Sequence, residues 1–159
     1  MEIVYHPIGL IRTPFMERTG TPIQPVASED SVGRIELDPI YLEGLQDIDG
    51  FSHLVLLYHF HRSVGFNLSV VPFLDNEPRG LFSTRAPKRP NAIGLSVVRL
   101  TGVEGNILHI KDVDMLDNTP LLDIKPYVPQ LEPSVVEKIG WFAKALDRIP
   151  HQTADERFR

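Results

Sequence analysis

The chain has no cysteine, which excludes disulfides, thiolate metal sites and a cysteine nucleophile together. It has no apolar run of about 18 residues or more, so no transmembrane helix is expected. Its amino terminus, Met1-Glu2-Ile3-Val4-Tyr5-His6-Pro7, shows no basic patch followed by an apolar stretch and does not read as a signal peptide. A cytoplasmic protein is the default expectation. There is no G-x-G-x-x-G loop after a strand, no G-x-x-x-x-G-K-[ST] and no G-x-S-x-G elbow, which argues against Rossmann, P-loop and α/β-hydrolase chemistry. Net charge is −5, so the chain is no general nucleic-acid coat.

What remains is a length of 159 residues, enough for one domain with a sizeable core. Fourteen prolines gather near the start and over 72–90 and 120–133, fixing much of the chain between elements. Runs rich in Val, Ile, Leu and Phe at 3–11, 32–37, 52–61, 80–84, 93–103, 107–115 and 121–124 read as short strands separated by Pro, Gly and Asn. Gly105-Asn106 reads as a hairpin turn between two of them. Such spacing without intervening amphipathic helices predicts an all-β barrel or sandwich. Asp38-Pro39 opens a short helix near 39–45, with Asp38 as its cap. Val135, Ile139, Phe142, Leu146 and Ile149 recur at helical spacing and predict one helix over 133–149, ended by Pro150 and followed by a frayed tail. Trp141 falls off that apolar stripe. The expected organisation is a barrel domain over 1–131 and a carboxyl-terminal helix and tail over 132–159.

Three stretches carry polar chemistry. In 52–61, Leu54, Leu56, Tyr58 and Phe60 share one strand face, and His53, Val55, Leu57, His59 and His61 share the other. Histidines on one face suggest a metal site, but no carboxylate completes a ligand set, so hydrogen bonding or a polar pocket is the favoured reading and no metal is expected. From Arg79 to Arg99 there are five basic residues and no acidic one. Pro87 and Pro90 stiffen the loop bearing Arg85, Lys88 and Arg89, which suits capture of carboxylate or phosphate because little entropy remains to be lost on binding. The third stretch, Lys111 to Pro120, holds Asp112, Asp114 and Asp117, with Asp123 close behind. It reads either as turn chemistry or as the opening of a cation loop whose later glycine and glutamate are missing.

Four segments together resemble the TrmO (TsaA-like, YaeB-like) family of tRNA methyltransferases. They are Ile8-Gly9-Leu10-Ile11-Arg12-Thr13-Pro14-Phe15, Asp49-Gly50-Phe51-Ser52-His53-Leu54, Phe82-Ser83-Thr84-Arg85-Ala86-Pro87-Lys88-Arg89-Pro90-Asn91-Ala92-Ile93-Gly94-Leu95-Ser96, and the stretch from Asp114 to Tyr127. The resemblance implies a compact β-barrel, a homodimer, and methyl transfer from S-adenosyl-L-methionine to the N6 nitrogen of N6-threonylcarbamoyladenosine in tRNA. Carried over by motif, the cofactor contacts are Pro22, Ile23, Gln24, His61, Arg62, Arg85, Leu95, Asp112, Val113 and Asp114. Arg62 stands where the family commonly has glutamine. Lys88 and Arg89 are expected to meet RNA, and Asp114, Asp117 or water to accept the departing proton. Bacterial members carry a further carboxyl-terminal domain, in place of which this sequence offers the 133–149 segment. That keeps open methylation of another RNA base or small molecule, and a non-catalytic module binding S-adenosylmethionine or RNA.

Overall fold

A computed structural model describes residues 1–23 and 30–158. Among the described residues eight strands form: β1 (Gly9–Arg12), β2 (Val32–Leu37), β3 (His53–His59), β4 (Ser69–Val70), β5 (Arg79–Gly80), β6 (Ile93–Glu104), β7 (Ile107–Lys111) and β8 (Thr119–Pro126). Six of them close an antiparallel barrel in the order β1-β2-β7-β6-β3-β8, while β4 and β5 make a separate two-stranded ribbon. The all-β barrel expected from the sequence is the architecture found.

Alternation drives this arrangement. Leu54, Leu56 and Tyr58 of β3 point inward, while its odd-numbered residues stay half-buried or exposed. The same period buries Ile35 and Leu37 of β2, Val98 of β6, and Leu108 and Ile110 of β7, which join Ile11, Val113, Met115 and Leu121 in one core. Burying each such side chain stabilises the barrel by roughly 1.5–3 kcal/mol. Two strands shift register along the way, β3 against β8 at Leu57/Tyr58 and β6 against β7 between Leu100 and Gly102. Such irregularities bend a strand and help a small sheet close on itself.

Several expected elements differ. The first strand is confined to four residues, because Pro7 has no N–H for a ladder and Ile3, Val4 and Tyr5 lie exposed. The strand expected at 80–84 becomes a 3-10 turn over Leu81–Ser83. There the Ser83 and Thr84 hydroxyls donate to the carbonyls of Gly80 and Leu81 at 2.8 and 2.7 Å, competing with a sheet ladder. The helix near 39–45 forms as a 3-10 helix, Pro39–Leu45, with the Asp38 carboxylate accepting from the Ile40 N–H.

The single helix over 133–149 does not form. Residues 133–139 are irregular, and two 3-10 segments follow, Gly140–Lys144 and Leu146–His151. Gly140 has φ +60°, a left-handed turn that no helix passes through, and Pro150 sits inside the second segment. Nor is the tail frayed. Thr153 bridges Pro22, Gly20 N–H donates to Ala154 O at 2.9 Å, and Ala154 N–H returns to Thr21 O at 2.7 Å. Phe158 is buried edge-on against Phe73, in a second apolar cluster with Val70, Leu81 and Ala86. The Arg18 guanidinium donates to the Phe158 carbonyl, which fastens the end.

Candidate active site

The barrel wall at β3 and β6, the proline-braced segment after β5, and the carboxyl-terminal residues enclose a cavity of about 1070 Å³. Its polar floor is built from two neighbouring strands and a turn. Tyr58 on β3 stands opposite Gly94 on β6. A Cβ at position 94 would lie 2.2 Å from the Tyr58 ring, so only glycine lets the ring lie against that backbone. From there the phenol reaches the Ser96 hydroxyl at 3.0 Å, and Ser96 donates to an Asp114 carboxylate oxygen at 2.6 Å. Tyr58 and Ser96 are almost wholly enclosed, so this chain of hydrogen bonds is held with little freedom.

Burial raises the Asp114 carboxyl to about 7, against the opposing pull of the Ser96 hydrogen bond and the Arg85 charge. Burial and the Asp114 charge likewise push the Tyr58 phenol up, so it serves as a donor rather than a base. A carboxyl poised near neutrality in a cavity is suited to taking up or releasing a proton.

At another part of the cavity, Arg18, Thr21, Pro22, Ile23, His61 and Arg62 contribute to the lining. His61 is shifted toward its neutral form, first by burial and then by Arg62, His59 and Arg18. A neutral imidazole adds no repulsion toward a cationic ligand. Arg62 donates to the Met16 carbonyl at 2.7 Å, so its guanidinium also braces the chain leading to Pro22. Arg85 and Leu95 line the same space. Arg89 lines it too, while donating to the carbonyls of Thr84 and Ala86.

Of the residues singled out from the sequence, Pro22, Ile23, His61, Arg62, Arg85, Arg89, Leu95 and Asp114 are thus brought to one cavity. Gln24 lies outside the described residues. Lys88 is half-buried but is not among the lining residues. Asp112, Val113 and Asp117 are placed elsewhere. Val113 is fully buried in the barrel core. Asp112, at φ 62°, accepts from the Asp30 N–H at 3.0 Å and pairs with Arg99 at 3.6 Å. Asp117 accepts from Thr13 N–H at 3.1 Å and Asn118 Nδ2 at 2.9 Å, and pairs with Arg12 at 3.6 Å. It borders a separate, smaller hollow.

Sequence reasoning missed Tyr58 and Ser96 as polar floor, and it missed the carboxyl-terminal wall. Tyr58 was legible only as a member of the strand face it shares with Leu54, Leu56 and Phe60. No spacing rule links it to a serine on another strand. The wall was half-legible: of the five residues read as one helix face, Ile139, Phe142, Leu146 and Ile149 line the cavity, whereas Val135 is exposed and does not. Among the described residues no group of three or more His, Asp or Glu side chains is placed to hold a metal ion.

A profile of the tRNA-methyltransferase O N-terminal domain matches residues 10–132. The chain is 51% identical over 156 residues to a probable S-adenosyl-L-methionine-binding protein of Pyrococcus abyssi, covering 98% of this chain and 85% of that one. With a tRNA (adenine(37)-N6)-methyltransferase of Mus musculus it shares 37% identity over 133 residues, 79% of this chain but 31% of that protein. The crystal structure of TrmO from Pseudomonas aeruginosa aligns with a TM-score of 0.74 and 39% identity, over 89% of this chain and 63% of that one. The chain therefore corresponds to only part of the length of those two methyltransferases.

Proposed function

The chain belongs to the family of the tRNA-methyltransferase O N-terminal domain, and from that membership we propose that it transfers a methyl group from S-adenosyl-L-methionine to the N6 nitrogen of N6-threonylcarbamoyladenosine in tRNA. The observation that carries the reading is Asp114, a carboxyl tuned to about 7 and aimed by Ser96 within a cavity that also holds Arg85. The donor set suits the cofactor chemically. Arg85 offers a guanidinium for the carboxylate of its methionine part, Leu95 an apolar surface, and Asp114 a negative charge for a cation. The cavity is large enough for more than a single nucleoside-sized ligand.

When bound, S-adenosylmethionine supplies an electrophilic methyl, and the carbon–sulfur bond breaks as the nitrogen–carbon bond forms. The work of the protein is to align and to handle the proton. Ionised Asp114 accepts the N6 proton, Ser96 fixes the carboxylate's orientation, and the buried Tyr58 hydroxyl fixes Ser96. Charge is dispersed in such a displacement, so positioning contributes more than a strong local field. Asp117 is less suited to the proton, because its oxygens are already engaged by Thr13, Asn118 and Arg12. The homodimer belongs to the same proposal. It is supported by the apolar side chains of Phe82, Ile93 and Leu95, which are 72%, 40% and 50% exposed, the last two at the cavity, and which a second copy would cover. No helix among the described residues is long and apolar enough to cross a membrane, and a tRNA acceptor fits a cytoplasmic setting.

Calorimetry with S-adenosylmethionine, followed by transfer of labelled methyl to total tRNA and mass spectrometry of the nucleosides, tests the reading. Methylated threonylcarbamoyladenosine is the expected product. Label on a different nucleoside would move the acceptor. Binding without any transfer would favour a non-catalytic S-adenosylmethionine-binding protein, the only role named for the Pyrococcus relative.

A further inference from the structure

The family profile ends at residue 132, yet part of the cavity wall comes from residues beyond it. Trp141 and Phe142 stack at 4.0 Å between ring centroids and both line the cavity. Their position is fixed rather than incidental. The Trp141 indole donates to the Ser83 carbonyl at 2.8 Å, and the Arg79 guanidinium lies 5.8 Å from its ring centroid. Ser83 belongs to the basic, proline-braced segment that also carries Arg85, Lys88 and Arg89. An aromatic pair tied to a cationic strip is the combination that holds unpaired bases, since the rings stack on the base and the cations attract the flanking phosphates.

We propose that Trp141 and Phe142 form the acceptor subsite, against which an unpaired purine of an RNA strand stacks while Lys88 and Arg89 meet its backbone. The residues implied in cofactor binding are supplied by the chain around Pro22, by the end of β3, and by Arg85 and Leu95. The aromatic pair is supplied by a segment outside the family domain. Acceptor choice and donor binding are thereby assigned to different parts of the chain. This assignment rests on the proposed tRNA methyltransferase reading.

Trp141 is the only tryptophan of the chain, so intrinsic fluorescence reports on this subsite without a variant. The full-length protein is titrated with an RNA stem-loop carrying an unpaired adenosine, with the same stem-loop abasic at that position, and separately with S-adenosylhomocysteine. Quenching by the first alone is expected. Equal quenching by both RNAs, quenching by S-adenosylhomocysteine, or no response to RNA would overturn the assignment. Replacing Trp141→Ala is expected to weaken stem-loop binding on the order of 10-fold while leaving calorimetric affinity for S-adenosylhomocysteine unchanged, and Trp141→Phe is expected to restore most of it. Loss of both affinities together would make the ring part of the cofactor site instead. Base-dependent quenching without any methyl transfer would sink the proposed activity and leave the subsite standing.

Discussion

The connection between β7 and β8 holds two kinds of aspartate, and their contrast explains more than either alone. At its ends, Asp112 and Asp117 are saturated. Each accepts at least one backbone N–H and faces an arginine, Arg99 or Arg12. In the middle, Asp114 has a serine hydroxyl, its own backbone N–H and the Arg85 charge, which together do not offset its desolvation, and its carboxyl rises to about 7. The outer pair anchors the connection to β1, to β6 and to the chain just before β2. The central residue is thereby held in the cavity in a state that a free chain would not choose. One short acidic run contains both framework and chemistry, sorted by what each carboxylate touches.

The sharpest way to break the contrast is Asp114→Asn, which keeps the shape and removes the base. Turnover is expected to fall by about 10²–10⁴-fold, with a much smaller change in S-adenosylmethionine affinity by calorimetry. An equal loss of both would make Asp114 a binding residue. Asp117→Ala should do the reverse. It leaves the Thr13 N–H and Arg12 without their partner and is expected to lower stability by roughly 1–3 kcal/mol in denaturant melts, while the turnover of the folded fraction stays near that of the parent. Ser96→Ala sharpens the comparison further. It removes a hydrogen bond that holds the Asp114 carboxyl down, so the pH at which activity reaches half its plateau should move upward, by up to about one unit. An unchanged midpoint would show that Ser96 positions nothing that titrates.

Much of this was legible in the sequence, and the failures have physical causes. The barrel strands β2, β6 and β7 were legible as short apolar runs bounded by turn residues, and β3 also by its alternation, because a half-buried strand must repeat with period two. Asp114, Arg85, Leu95 and His61, which line the cavity, were singled out through motif resemblance, whereas the difference between Asp114 and Asp117 was not visible, because it depends on Thr13, just after β1, and Ser96 on β6. The predicted helix at 133–149 shows the limit of periodicity. Ile139, Phe142, Leu146 and Ile149 reach the cavity through 3-10 turns set by a left-handed Gly140 and an internal Pro150, and Val135, expected on the same stripe, lies exposed. The tail was read as loose because its anchors, Thr21, Pro22 and Phe73, lie far away in sequence.

The pH dependence of single-turnover methyl transfer, measured with tRNA and S-adenosylmethionine at saturation, is the most direct test. In the proposed mechanism only the ionised form of Asp114 takes the N6 proton, and burial raises its carboxyl, so the rate should climb tenfold per pH unit in acid and level off above about 7. A rate already flat from pH 5 upward would contradict the assignment of Asp114 as the group that receives that proton.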